Sequence, residues 1–212
     1  MKKAFTMLEL IFVIIVIGIL TAIILPSTRR NPLQEAAIQL QSHIRYVQHL
    51  ALIDDKYDAS DVQWEKGRWQ IVFSTNANGF SDNQYAYTIF SDSNSYGGSA
   101  SFGEVAKNPE NSKQIMSGGY ASGTMDITDP SFLGMKKLNL GLSYGVTSLN
   151  LNGCNGVHLT FDYLGRPLDG THTSSTSSHA LLTSDCNITL SDGSDTVTIT
   201  IKPETGYVNI TF

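Results

Sequence analysis

The sequence predicts an α+β protein in which helical segments near the N-terminus precede a β-rich domain. Three observations predict this class: an unbroken apolar run over residues 5–25, an apolar stripe at helical spacing over residues 33–51, and period-two alternation from Arg68 onward. The 212 residues suit one N-terminal helix and one globular domain. We therefore expect a transmembrane helix over residues 5–30 and a domain over residues 31–212.

The apolar run has the length of a membrane span. Its 21 residues would form a helix of about 30 Å, the thickness of a bilayer's hydrocarbon core. Glu9 is the one ionisable side chain inside it, and Lys2 and Lys3 precede it. A charge at the centre of such a helix costs about 2.5–3.5 kcal/mol, so an acid there is expected to have a partner and a function.

Three simpler interpretations of the run compete. A secretory signal peptide has an apolar core of about 7–15 residues and a small-x-small cleavage site, whereas this run is longer, carries an acid and ends at Pro26 and Ser27. A plain signal anchor fits everything except Glu9. A buried core helix is disfavoured by the length.

A second, amphipathic helix is predicted over residues 32–55. Asn31 and Pro32 suit the N-cap and the first helical position. The apolar residues that follow recur at spacings of four and three, and they are Leu33, Ala37, Leu40, Ile44, Val47 and Ala51. One such stripe indicates packing of the helix against a sheet.

The β-rich region is expected to extend over residues 68–212. The predicted strands are 69–73, 85–90, 138–140, 149–151, 157–163, 180–182, 188–190, 196–201 and 207–211. The last two flank the turn-rich residues 202–206 and predict a terminal hairpin. Residues 91–135 are rich in Gly, Ser and Asn, and we interpret them as a flexible insertion with a short helix near residues 110–116.

Several enzyme-like matches are weak. Residues 141–145 fit G-x-S-x-G around Ser143, but a nucleophile elbow needs a preceding strand and a following helix, and strand-like sequence follows here. Residues 92–97 begin like a calcium loop, yet Tyr96 and Gly103 occupy positions that need oxygen ligands. The histidines form no recognisable base constellation. A membrane-anchored serine hydrolase is therefore a remote alternative, and we expect no cofactor or metal.

The N-terminal residues 3–10 (KAFTMLEL) resemble the class III signal of type IV pilins and type II secretion pseudopilins. The resemblance implies that residues 1–4 are a leader peptide, cleaved between Ala4 and Phe5 on the cytoplasmic side. Phe5 would become the N-methylated terminus, and Glu9 would be the fifth mature residue. The family usually has Gly before the cut. Ala4 departs from that pattern but is also small.

The resemblance extends along the helix and gives Glu9 a role. Gly18 and Pro26 fall where pilins have a helix-loosening glycine and a kinking proline. Cleavage would create an amine at Phe5 within reach of a neighbouring subunit's Glu9. A buried charge is tolerated when it is paired, so this pair would favour assembly and set its register.

The C-terminal half narrows the resemblance. Residues 161–167, 188–191, 199–201 and 204–208 look like those of the H-type minor pseudopilin and its FimT-type pilin relatives, and residues 38–73 also resemble that group. Residues 91–150 lie outside the resemblance. The implied fold is a long N-terminal helix, with a membrane-spanning first half, packed on two antiparallel sheets of a small periplasmic domain.

The two cysteines, Cys154 and Cys186, form the chain's one possible intramolecular pair. In an oxidising compartment such a pair favours a disulfide. Each cysteine precedes a predicted strand, so two neighbouring strand starts could bring the cysteines together. Closing a loop of about 33 residues would stabilise the fold by roughly 3–4 kcal/mol. Two buried free thiols are the alternative. A zinc site that adds His158 and His179 lacks metal-ligand spacing.

The expected function is that of a non-enzymatic minor pseudopilin in a type II secretion or type IV pilus-like filament, acting in protein secretion across the outer membrane. The positive-inside rule places Lys2 and Lys3 in the cytoplasm and the domain in the periplasm, so the chain would be a single-pass inner-membrane protein. Its implied partners are other pilins and pseudopilins, prepilin peptidase, and an assembly platform with its ATPase. No small-molecule substrate is expected.

A minor type IV pilin for pilus assembly or DNA uptake is the main alternative. That function would need clustered basic residues on the domain, whereas the net charge is −5. Lys136 and Lys137 form the only adjacent basic pair after Arg29 and Arg30. The acidic balance therefore disfavours nucleic acid as a partner.

Overall fold

The N-terminal unit contains one helix, α1, which extends over Met7–Ser27. The computed structural model describes residues 6–27, 31–93, 96–154, 156–169 and 180–212, and residues 1–31 and 32–212 form two separate units. The side chains of residues 7–21 are exposed, and the Thr21 hydroxyl donates to the Ile17 carbonyl at 2.7 Å. Of the helices whose residues are described, none combines the length and the apolarity that crossing a membrane requires.

The second unit begins with α2, Pro32–Ile53. Its buried side chains are Leu33, Ala36, Ala37, Leu40, Ile44, Val47 and Ala51, which confirms the predicted stripe. The stripe contacts strands of both sheets described below. The helix ends two residues before the predicted boundary, and the Asp54 carboxylate that follows it accepts from the Trp69 indole N–H at 2.9 Å.

In the described part of the chain nine strands follow, and they form two antiparallel sheets. They are β1 (Trp69–Ser74), β2 (Ala86–Ser91), β3 (Ser148–Asn152), β4 (His158–Phe161), β5 (Pro167–Asp169), β6 (Ala180–Leu181), β7 (Cys186–Ser191), β8 (Thr196–Ile201) and β9 (Val208–Thr211). One sheet has the order β2-β1-β4-β5-β6 and the other β3-β7-β8-β9. The predicted α+β class with antiparallel sheets is confirmed. The core lies where α2 packs on both sheets.

The prediction of a strand at residues 138–140 is wrong. A 3₁₀ turn, Lys136–Leu138, and a short helix, α3 (Leu140–Tyr144), occupy this region. Asn139 explains the difference, since its buried side chain accepts from the Leu142 N–H at 2.9 Å and donates to two loop carbonyls. An Asn that bonds its own helix terminus competes with strand pairing.

Residues 91–135 contain no helix at 110–116, so that prediction is also wrong. Side-chain turns replace it, with Asn108 accepting from the Glu110 N–H and Asn111 from the Lys113 N–H. The segment pairs with the outer edge of β2, for example through the Ile89 N–H and the Met116 carbonyl at 2.9 Å. It therefore covers that edge and contributes Val105, Ala106, Ile115, Met116 and Met125 to the core. Its flexibility stays a prediction.

A buried polar network fixes α2 against β2. The fully buried Tyr87 hydroxyl accepts from the Gln39 amide at 3.0 Å and lies 2.6 Å from Nδ1 of His43. The Gln39 oxygen accepts from the Tyr144 hydroxyl at 2.7 Å. Burial lowers the pKa of His43 to about 4, so the ring is neutral near pH 7 and its Nδ1 shares one hydrogen bond with the Tyr87 hydroxyl.

Candidate assembly site and disulfide

Glu9 lies in the first turn of α1 and forms a capping box with Thr6. Its carboxylate accepts from the Thr6 N–H and hydroxyl, both at 3.2 Å, and its own N–H donates to the Thr6 hydroxyl oxygen at 3.3 Å. These reciprocal bonds satisfy N–H groups that an α-helix leaves without partners at its N-terminus. The predictions above do not include this capping box, although Thr6 and Glu9 have the T-x-x-E spacing before an apolar run that signals it.

The capping box gives Glu9 a partner within its own chain. An N-cap contributes about 0.5–2 kcal/mol, and a carboxylate in the first turn also interacts favourably with the helix dipole. Both Thr6 and Glu9 are exposed, and hydrogen bonds of this length are at the weak end of the normal range. The carboxylate can therefore exchange this local contact for a stronger one with a cation on a neighbouring molecule.

The other predicted positions of the assembly segment are only partly described. Ala4 and Phe5 lie outside the described residues, so cleavage and N-methylation stay predictions. Gly18 and Pro26 both lie within α1. A Cβ at Gly18 would have nothing within 4 Å, so nothing that the structure describes around this position requires glycine. The helix-loosening and kinking roles of these two residues stay predictions.

A disulfide joins Cys154 and Cys186, whose Cα atoms are 4.6 Å apart. The prediction of this bond is confirmed, but the predicted neighbouring strand starts are not what places the cysteines. Cys154 follows the end of β3, while Cys186 begins β7, and the two strands pair as far as Asn152 and Asn187. Gly153 connects the last residue of β3 to Cys154. Its φ is +75°, and a Cβ at this position would overlap the Asp185 carbonyl oxygen.

Replacing Cys154 and Cys186 with serine should destabilise the fold by roughly 3–4 kcal/mol, because the unfolded chain regains the freedom of a long loop. Urea unfolding with and without dithiothreitol measures this effect. Reductant should lower the midpoint of the wild-type chain and leave that of the double variant unchanged. A wild-type midpoint that does not respond to reductant would contradict the prediction.

The structure gives the enzyme-like and metal-like matches ordinary structural roles. Ser143 lies within α3, and its hydroxyl donates to the Lys136 carbonyl at 2.7 Å. Asp92 is buried and accepts from the Gly98 N–H of its own loop, and burial raises the pKa of its carboxyl. Nδ1 of His158 lies 2.8 Å from the Gln70 side-chain oxygen. Within the described ranges, no group of three or more His, Cys, Asp or Glu side chains could hold a metal.

No protein-family model, no curated protein and no solved structure matches this chain. The functional assignment therefore depends on the residues themselves and on the geometry above.

Proposed function

We propose that the chain is a structural minor pseudopilin of the H/FimT type, a subunit of a type II secretion or type IV pilus-like filament. The observation that carries the proposal is the segment 3–10 with its F-T-x-x-E spacing. It opens the apolar run of residues 5–25, in which Glu9 is the one acid. In this proposal prepilin peptidase removes residues 1–4 and methylates Phe5. The run anchors the subunit in the inner membrane until an assembly platform and its ATPase extract it.

The energetics favour a second use of Glu9 beyond the capping box. An N-cap contributes about 0.5–2 kcal/mol, whereas leaving one member of a buried ion pair without its partner costs about 3–5 kcal/mol. In a stack of α1 helices the Phe5 amine of one subunit would be buried, and a neighbour's Glu9 would satisfy it. Pairing between subunits therefore outweighs the loss of the local contact.

The domain is consistent with the same proposal. The helix α2 packs on two antiparallel sheets, the architecture that the resemblance to H-type pseudopilins implies. A disulfide between Cys154 and Cys186 suits the periplasm, where disulfides form and persist. In the proposed orientation, the domain would be exposed on that side of the inner membrane.

Deleting the gene in the source organism tests this function directly. We expect proteins normally found in the medium to accumulate in the periplasm, and a plasmid copy of the wild-type gene to restore their export. DNA uptake, measured in parallel, should be unchanged. Normal export together with lost DNA uptake would contradict the secretion role and favour the minor-pilin alternative.

A further inference from the structure

A groove lies on the segment 108–137, and α2 contributes part of its wall. It consists of two adjoining cavities of about 430 and 280 Å³, which share Met135 and Lys137 in their walls. Phe132 and Lys136 line the larger cavity, and His43 lines the smaller one. The groove thus combines apolar side chains with two exposed lysines, and its size suits a few side chains of a bound segment.

The side chains of the lysines around this groove have no ion pair, unlike three other cations among the described residues. Lys56, Arg166 and Lys202 each form an ion pair with an aspartate. Across the described residues, the lysines with neither an ion pair nor a side-chain hydrogen bond are Lys107, Lys113, Lys136 and Lys137, and the last three lie on the segment beside the groove. In a chain of net charge −5 this surface suits an acidic partner.

The backbone that carries the two groove lysines is fixed in place. The Gln39 amide donates to the Lys137 carbonyl at 2.8 Å, and the Ser143 hydroxyl donates to the Lys136 carbonyl at 2.7 Å. Gln39 is itself held by the buried Tyr87 hydroxyl. A preorganised backbone lowers the entropy cost of binding. Glu110 also lines the smaller cavity, so an acidic partner would bind at the larger one.

The same chain carries a complementary surface, the acidic loop of residues 54–62. It contains four aspartates and one lysine, so its net charge is −3. Tyr57 is 62% exposed and Val62 is 90% exposed. The loop is held in shape, since Tyr57 packs edge-on against Trp64 at 5.1 Å and Asp58 accepts from the Ser60 N–H at 2.8 Å.

We propose that the groove binds the acidic loop of a second copy of this chain. The carboxylates of Asp55 and Asp58 would lie beside Lys136 and Lys137, and the exposed Val62 would pack into the apolar wall of the larger cavity. Within one chain the loop is held elsewhere, since the Trp69 indole N–H donates to Asp54 and the Tyr96 hydroxyl donates to Asp61, and no residue of the loop lines either cavity. A chain held in this way does not fill its own groove.

This contact would be heterologous, because two different surfaces of the same chain meet. Heterologous contacts generate rings or open helical filaments. The proposed contact adds a partner, a second copy of the chain, to the proposed filament subunit. Its role in a filament rests on the proposed function, whereas the contact itself does not.

Charge reversal in the full chain, solubilised in detergent, tests the contact by sedimentation velocity. Two variants should each weaken self-association by about tenfold or more, which corresponds to a loss of about 1.4 kcal/mol of binding free energy. They are Lys136→Glu/Lys137→Glu and Asp55→Lys/Asp58→Lys. An equimolar mixture of the two variants should recover association, because each supplies the surface that complements the other. The Asp195→Lys/Glu204→Lys variant is the matched control for the aspartate reversal, with the same change of charge on two exposed turns, and should associate like the wild type.

A wild-type chain that remains monomeric, reversed variants that associate normally, or a mixture that does not recover would each overturn the inference. None of these results would bear on processing at Ala4 and Phe5, so the proposed function and the contact fail separately.

Discussion

Replacing Glu9 with leucine should leave the chain inserted in the membrane and cleaved, but should abolish its incorporation into a filament. The variant buries a neighbour's Phe5 amine without a partner at each contact, at a cost of about 3–5 kcal/mol. In a plain signal anchor the same change removes a desolvation cost, so insertion should be unchanged or better. Crosslinking of the variant to its co-assembled partners in the source organism, with an export assay, measures the outcome.

The capping box allows the charge of Glu9 to be tested separately from its hydrogen bonds. Glu9→Gln keeps an oxygen that can accept from Thr6, since Gln also serves at this position of a capping box, but it removes the charge. Thr6→Ala removes the cap, at a cost of about 1 kcal/mol, and keeps the charge. We expect Glu9→Gln to fail in assembly like Glu9→Leu, and Thr6→Ala to assemble.

The reverse pattern would contradict the role of the ion pair. If Glu9→Gln assembles normally while Thr6→Ala does not, Glu9 acts through the start of α1 and not through a neighbouring subunit. Normal crosslinking and normal export of Glu9→Leu would make Glu9 incidental to assembly.

The parts of the fold that the sequence predicts well depend on local periodicity. The predicted apolar stripe matches the buried face of α2, because residues spaced three and four apart between Leu33 and Ala51 lie on one side of a helix. The hairpin of β8 and β9 follows from alternation around a turn-rich segment. The region around Asn139 could not be predicted in this way, since its buried amide bonds carbonyls of Ser81 and Gly118 that are distant in sequence.

The difference between local patterns and contacts distant in sequence also explains which functional features can be predicted from the sequence. The two cysteines predict a bond, but the register of β3 with β7 that places them is a non-local pairing. The groove likewise could not be predicted from the sequence, because its smaller cavity forms only where residues near 108 and 135 contact α2. By contrast, the capping box of Thr6 and Glu9 is a local signal that could have been predicted.

The strand β5 shows a further limit of local patterns. Its first residue is Pro167, which disfavours a strand assignment, yet the segment pairs with β4 and β6 on its two sides. The strand is only three residues long, and the Pro167 carbonyl accepts from the Leu182 N–H at 3.1 Å. Proline at the first position of a strand sacrifices no interior ladder bond, so tertiary pairing outweighs the local preference.

The mass of the mature chain tests the pilin-like assignment most directly, because every proposed role of Phe5 and Glu9 requires cleavage between Ala4 and Phe5. Prepilin processing removes four residues and adds one methyl group to the new terminus, a change that no signal anchor undergoes. Intact-mass measurement of the protein purified from its native membrane should therefore show the sequence from Phe5 onward plus one methyl group. A full-length chain, or a chain cut after Thr21 or later, would contradict the account.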